Sequence, residues 1–225
     1  MIKRTITLGD YDTAAHGLWT LAGWVFPEPV QETNLVAVPG RVKGPLDLST
    51  ALTDGEPSYS ARVLSIVLES SEGDRLARKA RIADMVNMLH GRRVDIVLPD
   101  DPLHYATGRL AIKTLYNDPA HASVQVTATC EPWLYAMDET VLPLQATATA
   151  QTSLLRNSGA MSVVPLVQIA AAAGASVNLK YREFSWSLTA GDYKLPDLLL
   201  TPGDHVIEYS GTGTLTITYR EAVIA

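Results

Sequence analysis

The feature that most limits what this chain can become is a succession of short apolar runs, interrupted once by a segment with helical spacing. Residues 17–26 (GLWTLAGWVF), 33–39 (TNLVAVP), 60–70 (SARVLSIVLES), 93–99 (RVDIVLP), 109–116 (RLAIKTLY) and 122–130 (ASVQVTATC) are rich in β-branched and aromatic side chains and mostly alternate with polar ones. A period of two turns one face toward a core and the other toward water, so each run is expected as a strand. Between them, SEGDRLARKARIADMVNMLHG (71–91) sets Ile82, Met85, Val86 and Leu89 on one helical face, with His90 and Gly91 as a stop. The spacing predicts a helix near 75–90 packed on a β core.

Past Pro132 the texture changes. Residues 133–137 are aromatic and apolar, and 141–159 (VLPLQATATAQTSLLRNSG) alternate small residues with Thr and Gln, which reads as a linker becoming a first strand. From Met161 the runs MSVVPLVQIA, SVNLKY, EFSWSL, AGDYKL, GDHVIEYSG and GTLTITYRE follow at strand-and-turn spacing. The expected fold is therefore mainly β: an N-terminal β-barrel or sandwich-like domain over residues 1–140, and a C-terminal β-sandwich over 141–225.

A chain of 225 residues can bury a core in each half, and 47% hydrophobic with 19% charged residues is an ordinary globular balance. No apolar run approaches the ~20 residues that span a bilayer, and MIKRTITLGDYD lacks a signal peptide's apolar stretch. Synthesis in a cytoplasm, without membrane insertion, is expected. Up to residue 140 there are 13 Lys/Arg against 18 Asp/Glu, and beyond it 5 against 6, so net charges of −5 and −1 make up the total of −6. Nucleic-acid binding runs on clustered cations neutralising phosphates, which this balance disfavours. An acidic wall would let DNA pass without sticking.

Chemistry-bearing patterns are sparse. His16, His90, His104, His121 and His205 show no metal-ligand spacing and read as surface or capping residues. Cys130, the single cysteine, cannot form an internal disulfide and reads as a buried structural thiol. Asp100 and Asp101 precede Pro102 after a strand, a turn signature in which carboxylates bond backbone N–H groups. Arg75, Arg78, Lys79 and Arg81, interspersed with acids, read as a solvated helix face. No nucleophile motif, metal site or cofactor site emerges, and an enzyme is not expected. Trp186, Tyr193 and Tyr209 could form a stacking platform for a sugar. The alternation of Phe184, Trp186 and Leu188 favours core packing for the first of them.

Three ordered blocks carry a family resemblance: Pro39-Gly40-Arg41-Val42-Lys43-Gly44-Pro45-Leu46-Asp47-Leu48-Ser49 with Tyr59 and Arg62; Met88-Leu89-His90-Gly91 followed by Asp100-Asp101-Pro102-Leu103-His104-Tyr105 and Gly108-Arg109; and Cys130-Glu131-Pro132-Trp133. In this order they resemble the distal tail proteins of phages with long non-contractile tails. Asn157-Ser158-Gly159, Pro165, Gly191-Asp192-Tyr193, Leu200, Pro202-Gly203, Gly213 and Tyr219-Arg220 resemble that family's C-terminal galectin-like sandwich. Val42-Lys43 departs from the family's acidic residue in a Gly-Arg-Asp-Gly type segment, and Trp133 stands where Tyr is common.

The resemblance implies a homo-oligomeric ring of six copies at the distal end of the virion tail, assembled in the bacterial host's cytoplasm. N-terminal domains would line a channel through which DNA passes unbound. The ring would join tail tube protein to the tail-tip hub or baseplate, with receptor-binding proteins at its periphery. On this reading Gly40, Arg41, Leu46, Asp47, Tyr59, Arg62, Gly91, Asp101, Pro102, Tyr105, Gly108, Arg109, Cys130 and Pro132 serve structure or assembly. The competing expectation is a carbohydrate-binding module that recognises host cell-wall glycan through Trp186, Tyr193 and Tyr209.

Overall fold

The computed structural model describes residues 3–20, 22–39, 43–51, 53, 55–71, 73–117 and 120–224. Gly40 and Arg41 lie outside them. The chain divides into two compact units, residues 1–134 with 224–225 and residues 135–223.

The first unit contains β1 (Thr7–Leu8), β2 (Tyr11–Asp12), β3 (Trp24–Val25), β4 (Leu35–Val36), β5 (Leu46–Asp47), β6 (Arg62–Ser70), α1 (Arg75–Leu89), β7 (Arg93–Leu98), β8 (Asp101–Asn117) and all but the last two residues of β9 (Ala122–Ala136). Its main sheet runs β2-β1-β7-β8-β9-β6-β3. β6 and β9 pair antiparallel from Arg62↔Cys130 to Ser70↔Ala122. The expected alternation holds in β6, where Leu64, Ile66 and Leu68 are buried while Val63 faces out.

Asp74 caps α1 by accepting from the Ala77 N–H at 2.7 Å, and Ile82, Met85 and Leu89 are buried as α1 packs on β8. The fourth buried helix residue is Arg78, so the basic run is not wholly a solvated face. Its guanidinium folds back to donate through Nη1 to the carbonyl of Gly73, a backbone partner for a group that spacing alone placed in water. The His90 N–H closes the helix on Val86 O at 2.9 Å.

Two expected strands are much reduced. Among the described residues of 17–26, Trp24–Val25 is the only paired strand, while Trp19 bridges Glu69 and Thr20 bridges Arg4. Within 33–39 only Leu35–Val36 pairs, and its partner is Leu46–Asp47 in a two-stranded hairpin outside the main sheet. Pro27, Pro29, Pro39, Pro45 and Pro57 punctuate this stretch, and each removes a backbone donor that a longer ladder needs.

The second unit is a β-sandwich of two four-stranded sheets. One holds β10 (Thr140–Ala146), β17 (Gly213–Tyr219), β12 (Leu166–Ala170) and β15 (Gly191–Lys194) in that order; the other holds β11 (Gln151–Asn157), β16 (Gly203–Gly211), β13 (Val177–Tyr181) and β14 (Phe184–Leu188). Leu155, Leu179 and Ile207 from one sheet meet Val167, Leu215 and Ile217 from the other in the core. Much of the segment read as a linker thus forms the paired strands β10 and β11. Asn157 organises one end: its buried amide donates to Met161 O (2.8 Å) and Leu200 O (2.9 Å), and its Oδ1 accepts from the Gly159 N–H (3.0 Å). His205 is a buried histidine rather than a surface one, with Nδ1 at 2.7 Å from the Tyr181 hydroxyl and Nε2 at 2.6 Å from Thr201 O.

Candidate assembly surface

Most of the motif residues gather in the first unit, although they come from separate stretches of chain. Gly91 leaves the helix in the left-handed region (φ 77°), so its N–H turns away from α1 and donates to Leu110 O at 2.8 Å. Arg109 then donates to the Gly91 carbonyl at 2.6 Å. The β7–β8 register sets Arg93 opposite Arg109 and Val94 opposite Gly108. Gly108 packs on β9 so closely that a Cβ there would stand 2.5 Å from Cys130 Sγ.

These residues surround a shallow groove of about 730 Å³, lined by Gly91, Arg93, Gly108, Arg109, Cys130 and Pro132 among others. Arg93 and Glu131 form an ion pair across it. Burial pushes the Cys130 thiol up to about 11, so at neutral pH it is a protonated packing group and no nucleophile. Hydrogen-bonding and ion-pairing groups line the groove, which suits contact with another surface.

Arg62 ties the groove to the hairpin. Buried opposite Cys130, it donates through Nε to Pro27 O at 2.7 Å, lies 3.5 Å through Nη1 from Pro132 O, and covers the Phe26 ring at 3.8 Å. Desolvation lowers its pKa, with Cys130 and Glu28 acting in the opposite direction. Tyr59 meets Trp133 edge to face at 5.4 Å. Chain therefore leaves the sheet at Phe26-Pro27 and returns near Tyr59 through anchored ends, while residues 30–39 between them are exposed. Leu46 and Asp47 sit on that arm. Hydrogen bonds from Ser49, its side chain first and then its backbone N–H, hold the Asp47 carboxyl below its ordinary range.

The remaining motif residues stand elsewhere along β8. Asp101 opens the strand beside exposed Pro102, and its carboxylate lies 2.9 Å from His104 Nδ1, a side-chain partner where a backbone one was expected. Tyr105 is half-buried. In the second unit the three aromatic candidates do not form a platform: Tyr209 is in the core, and Tyr193 donates its hydroxyl to Thr189 O at 3.1 Å. Trp186 packs partly against the core and stacks on Phe184 at 6.1 Å. Among the described residues, no three His, Cys, Asp or Glu side chains lie grouped to hold a metal ion, and no helix is long and apolar enough to cross a membrane.

Sequence reasoning missed a second concavity beside α1, of about 750 Å³ and lined by Leu76, Lys79, Ala83, Val86 and Thr114 among others. The signal was present in Leu76, an apolar residue that lies off the Ile82–Leu89 face.

No family model matches the sequence, and no curated protein matches it. The architecture defines the class: a mainly antiparallel β protein with one helix on its first sheet and a β-sandwich as its second unit. That fold is shared over the whole chain with the SPP1 Dit (gp 19.1) protein, described as a paradigm of hub adsorption apparatus in phages infecting Gram-positive bacteria. The TM-score with its crystal structure is 0.68, covering 98% of this chain and 99% of that one at 14% sequence identity.

Proposed function

We propose that this chain is a structural adaptor of a phage tail tip, in which six copies close into a ring at the distal end of the tail. The observation that carries the reading is the end-to-end fold likeness to a Dit protein, both units included. The first unit would make the ring contacts and line the channel, and the galectin-like second unit would project outward. Tail tube protein, the tail-tip hub and receptor-binding proteins are the proposed neighbours. The acidic balance of the first 140 residues supports a wall that does not retain DNA. A ring adaptor works through surfaces and needs no active site, which suits a groove floored by a protonated thiol. The glycan reading is weaker, because Tyr209 is unavailable to a surface ligand.

Negative-stain microscopy of the purified chain tests this directly: six-fold rings with an open centre are expected. Antibodies against the chain should label intact virions at the tail's distal end. A protein that stays monomeric at high concentration and labels no tail tip would overturn the proposal.

A further inference from the structure

The protons around His205 do not add up with a neutral ring. Its Nδ1 lies 2.7 Å from the Tyr181 hydroxyl and its Nε2 lies 2.6 Å from the Thr201 carbonyl, while the same hydroxyl lies 3.1 Å from the Leu199 carbonyl. A carbonyl only accepts, so Nε2 carries a proton for Thr201, and the one proton of Tyr181 goes to Leu199. Nδ1 then meets a hydroxyl oxygen whose proton is already used, and it bonds there only as a second N–H. A ring protonated on both nitrogens is the imidazolium. A neutral ring protonated on Nε2 instead takes the Tyr181 proton at Nδ1 and leaves the Leu199 carbonyl without a donor from Tyr181.

These bonds hold a loop. Residues 195–202 connect β15 to β16, set Leu198 and Leu200 in the core and leave Asp197 and Leu199 on the surface. Leu198 donates its N–H to Leu195 O at 3.0 Å and Leu200 to Val163 O at 2.9 Å. The charged and titratable groups around the ring come from three directions. β13 brings Tyr181, with the guanidinium of the following Arg182 at 4.9 Å from the centre of its ring. Beside His205 on β16, Asp204 is turned to Arg156 of β11 at 3.8 Å. The loop brings Asp197, which is exposed. Both partners of the imidazole are thus neutral groups, and a proton exchanged with solvent sets its charge. Unperturbed imidazoles change charge between about pH 5 and 8.

We infer that His205 is a pH-sensitive latch: taking a proton from solvent at Nδ1 turns the Tyr181 hydroxyl onto the Leu199 carbonyl and fastens the 195–202 loop, and losing it frees that carbonyl while the Nε2–H bond to Thr201 persists. The latch lies within the second unit and does not depend on ring closure of the assembly.

Two measurements on the full-length chain test it. Proton–nitrogen spectra of histidine-labelled protein, with His205 assigned by its proximity to the Tyr181 ring (5.8 Å between centres), should show a ring protonated on Nε2 alone at about pH 8 and on both nitrogens at about pH 5.5. Over the same range, hydrogen exchange of the 195–202 amides, corrected for the intrinsic effect of pH, should slow roughly 5-fold, the net effect of one hydrogen bond. Tyr181→Phe keeps the aromatic ring and removes the hydroxyl, so the loop's exchange should lose this pH dependence. A His205 ring neutral at both pH values, or charged at both, would overturn the latch, as would equal protection across the range or a pH dependence that survives in Tyr181→Phe. The measurements on the parent chain decide the question even where the variant does not fold.

Discussion

Gly108 stands so close to Cys130 that a methyl group on its Cα would lie 2.5 Å from Sγ and 3.2 Å from both Cys130 Cα and Thr129 O. Two of those neighbours are backbone atoms of a central strand and cannot swing aside. Gly108→Ala should therefore cost about 1–3 kcal/mol, as overpacking does, measured by denaturant unfolding. Cys130→Ala alone should cost roughly 1–2 kcal/mol for lost packing and leave assembly intact. The double variant should cost less than the two singles together, since removing Sγ relieves the closest contact. Strict additivity would show that the strands do not approach as described.

The same burial makes stability depend on alkaline pH. The folded state holds the Cys130 proton up to about 11, against an ordinary 9.0 once unfolded. Between those values the unfolded state binds fewer protons, so stability is unaffected below pH 9 and falls as pH rises toward 11. Tyr11, raised from 10.0 to about 12 chiefly by burial, adds a fall displaced to higher pH. The melting temperature of Cys130→Ala should lie below the parent's at pH 7, by its packing loss, and should vary less than the parent's from pH 9 to 11. Rapid labelling of the native thiol at neutral pH would contradict the burial.

Helix α1 was readable because Ile82, Met85 and Leu89 repeat at its period, and β6 because Leu64, Ile66 and Leu68 alternate. Periodicity marks a face but not what covers it. Arg78 looked solvated because its partner is the backbone carbonyl of Gly73, five residues earlier, and a carbonyl is present in every residue and so leaves no mark in the sequence. Tyr209 and Trp186 both lie on alternating strands. Only the sandwich shows that the first is in its interior and the second beside an edge. The groove joins residues 91, 108 and 131, whose proximity depends on the β7–β8–β9 pairing and on no local pattern.

Asn157 tests the second unit by itself. Replacing it with Ala would take this partner from the Met161 carbonyl and the Gly159 N–H, and one of two partners from the Leu200 carbonyl, which keeps the Val163 N–H. Leaving buried groups unpaired costs about 1–3 kcal/mol each, with partial relief from water, so a loss of roughly 2–4 kcal/mol is expected. Chemical denaturation would read it, and a change below about 0.5 kcal/mol, the range of ordinary surface substitutions, would refute the organising role.

Limited proteolysis distinguishes the arm from the junction between the units. Much of residues 137–160 is held in the β10 and β11 ladders, whereas the arm has a two-residue pairing, a bridge of Gln31 to Tyr59 at its base and an exposed Lys43. Backbone with few bonds opens most readily, so trypsin acting on dilute protein should cut first at the arm, within 27–59. Arg62→Lys sharpens the test. It keeps the charge but loses the planar fork that meets the Pro27 and Pro132 carbonyls and lies over Phe26. Loosening that anchor by about 1 kcal/mol, the usual net worth of such a bond, should speed cleavage within the arm roughly 3- to 10-fold. The overall fold should persist, because the substitution leaves the β6–β9 ladder in place. First cuts at 137–160 would mean that the junction opens before the arm, and an unchanged rate in Arg62→Lys would mean that Arg62 does not hold the arm.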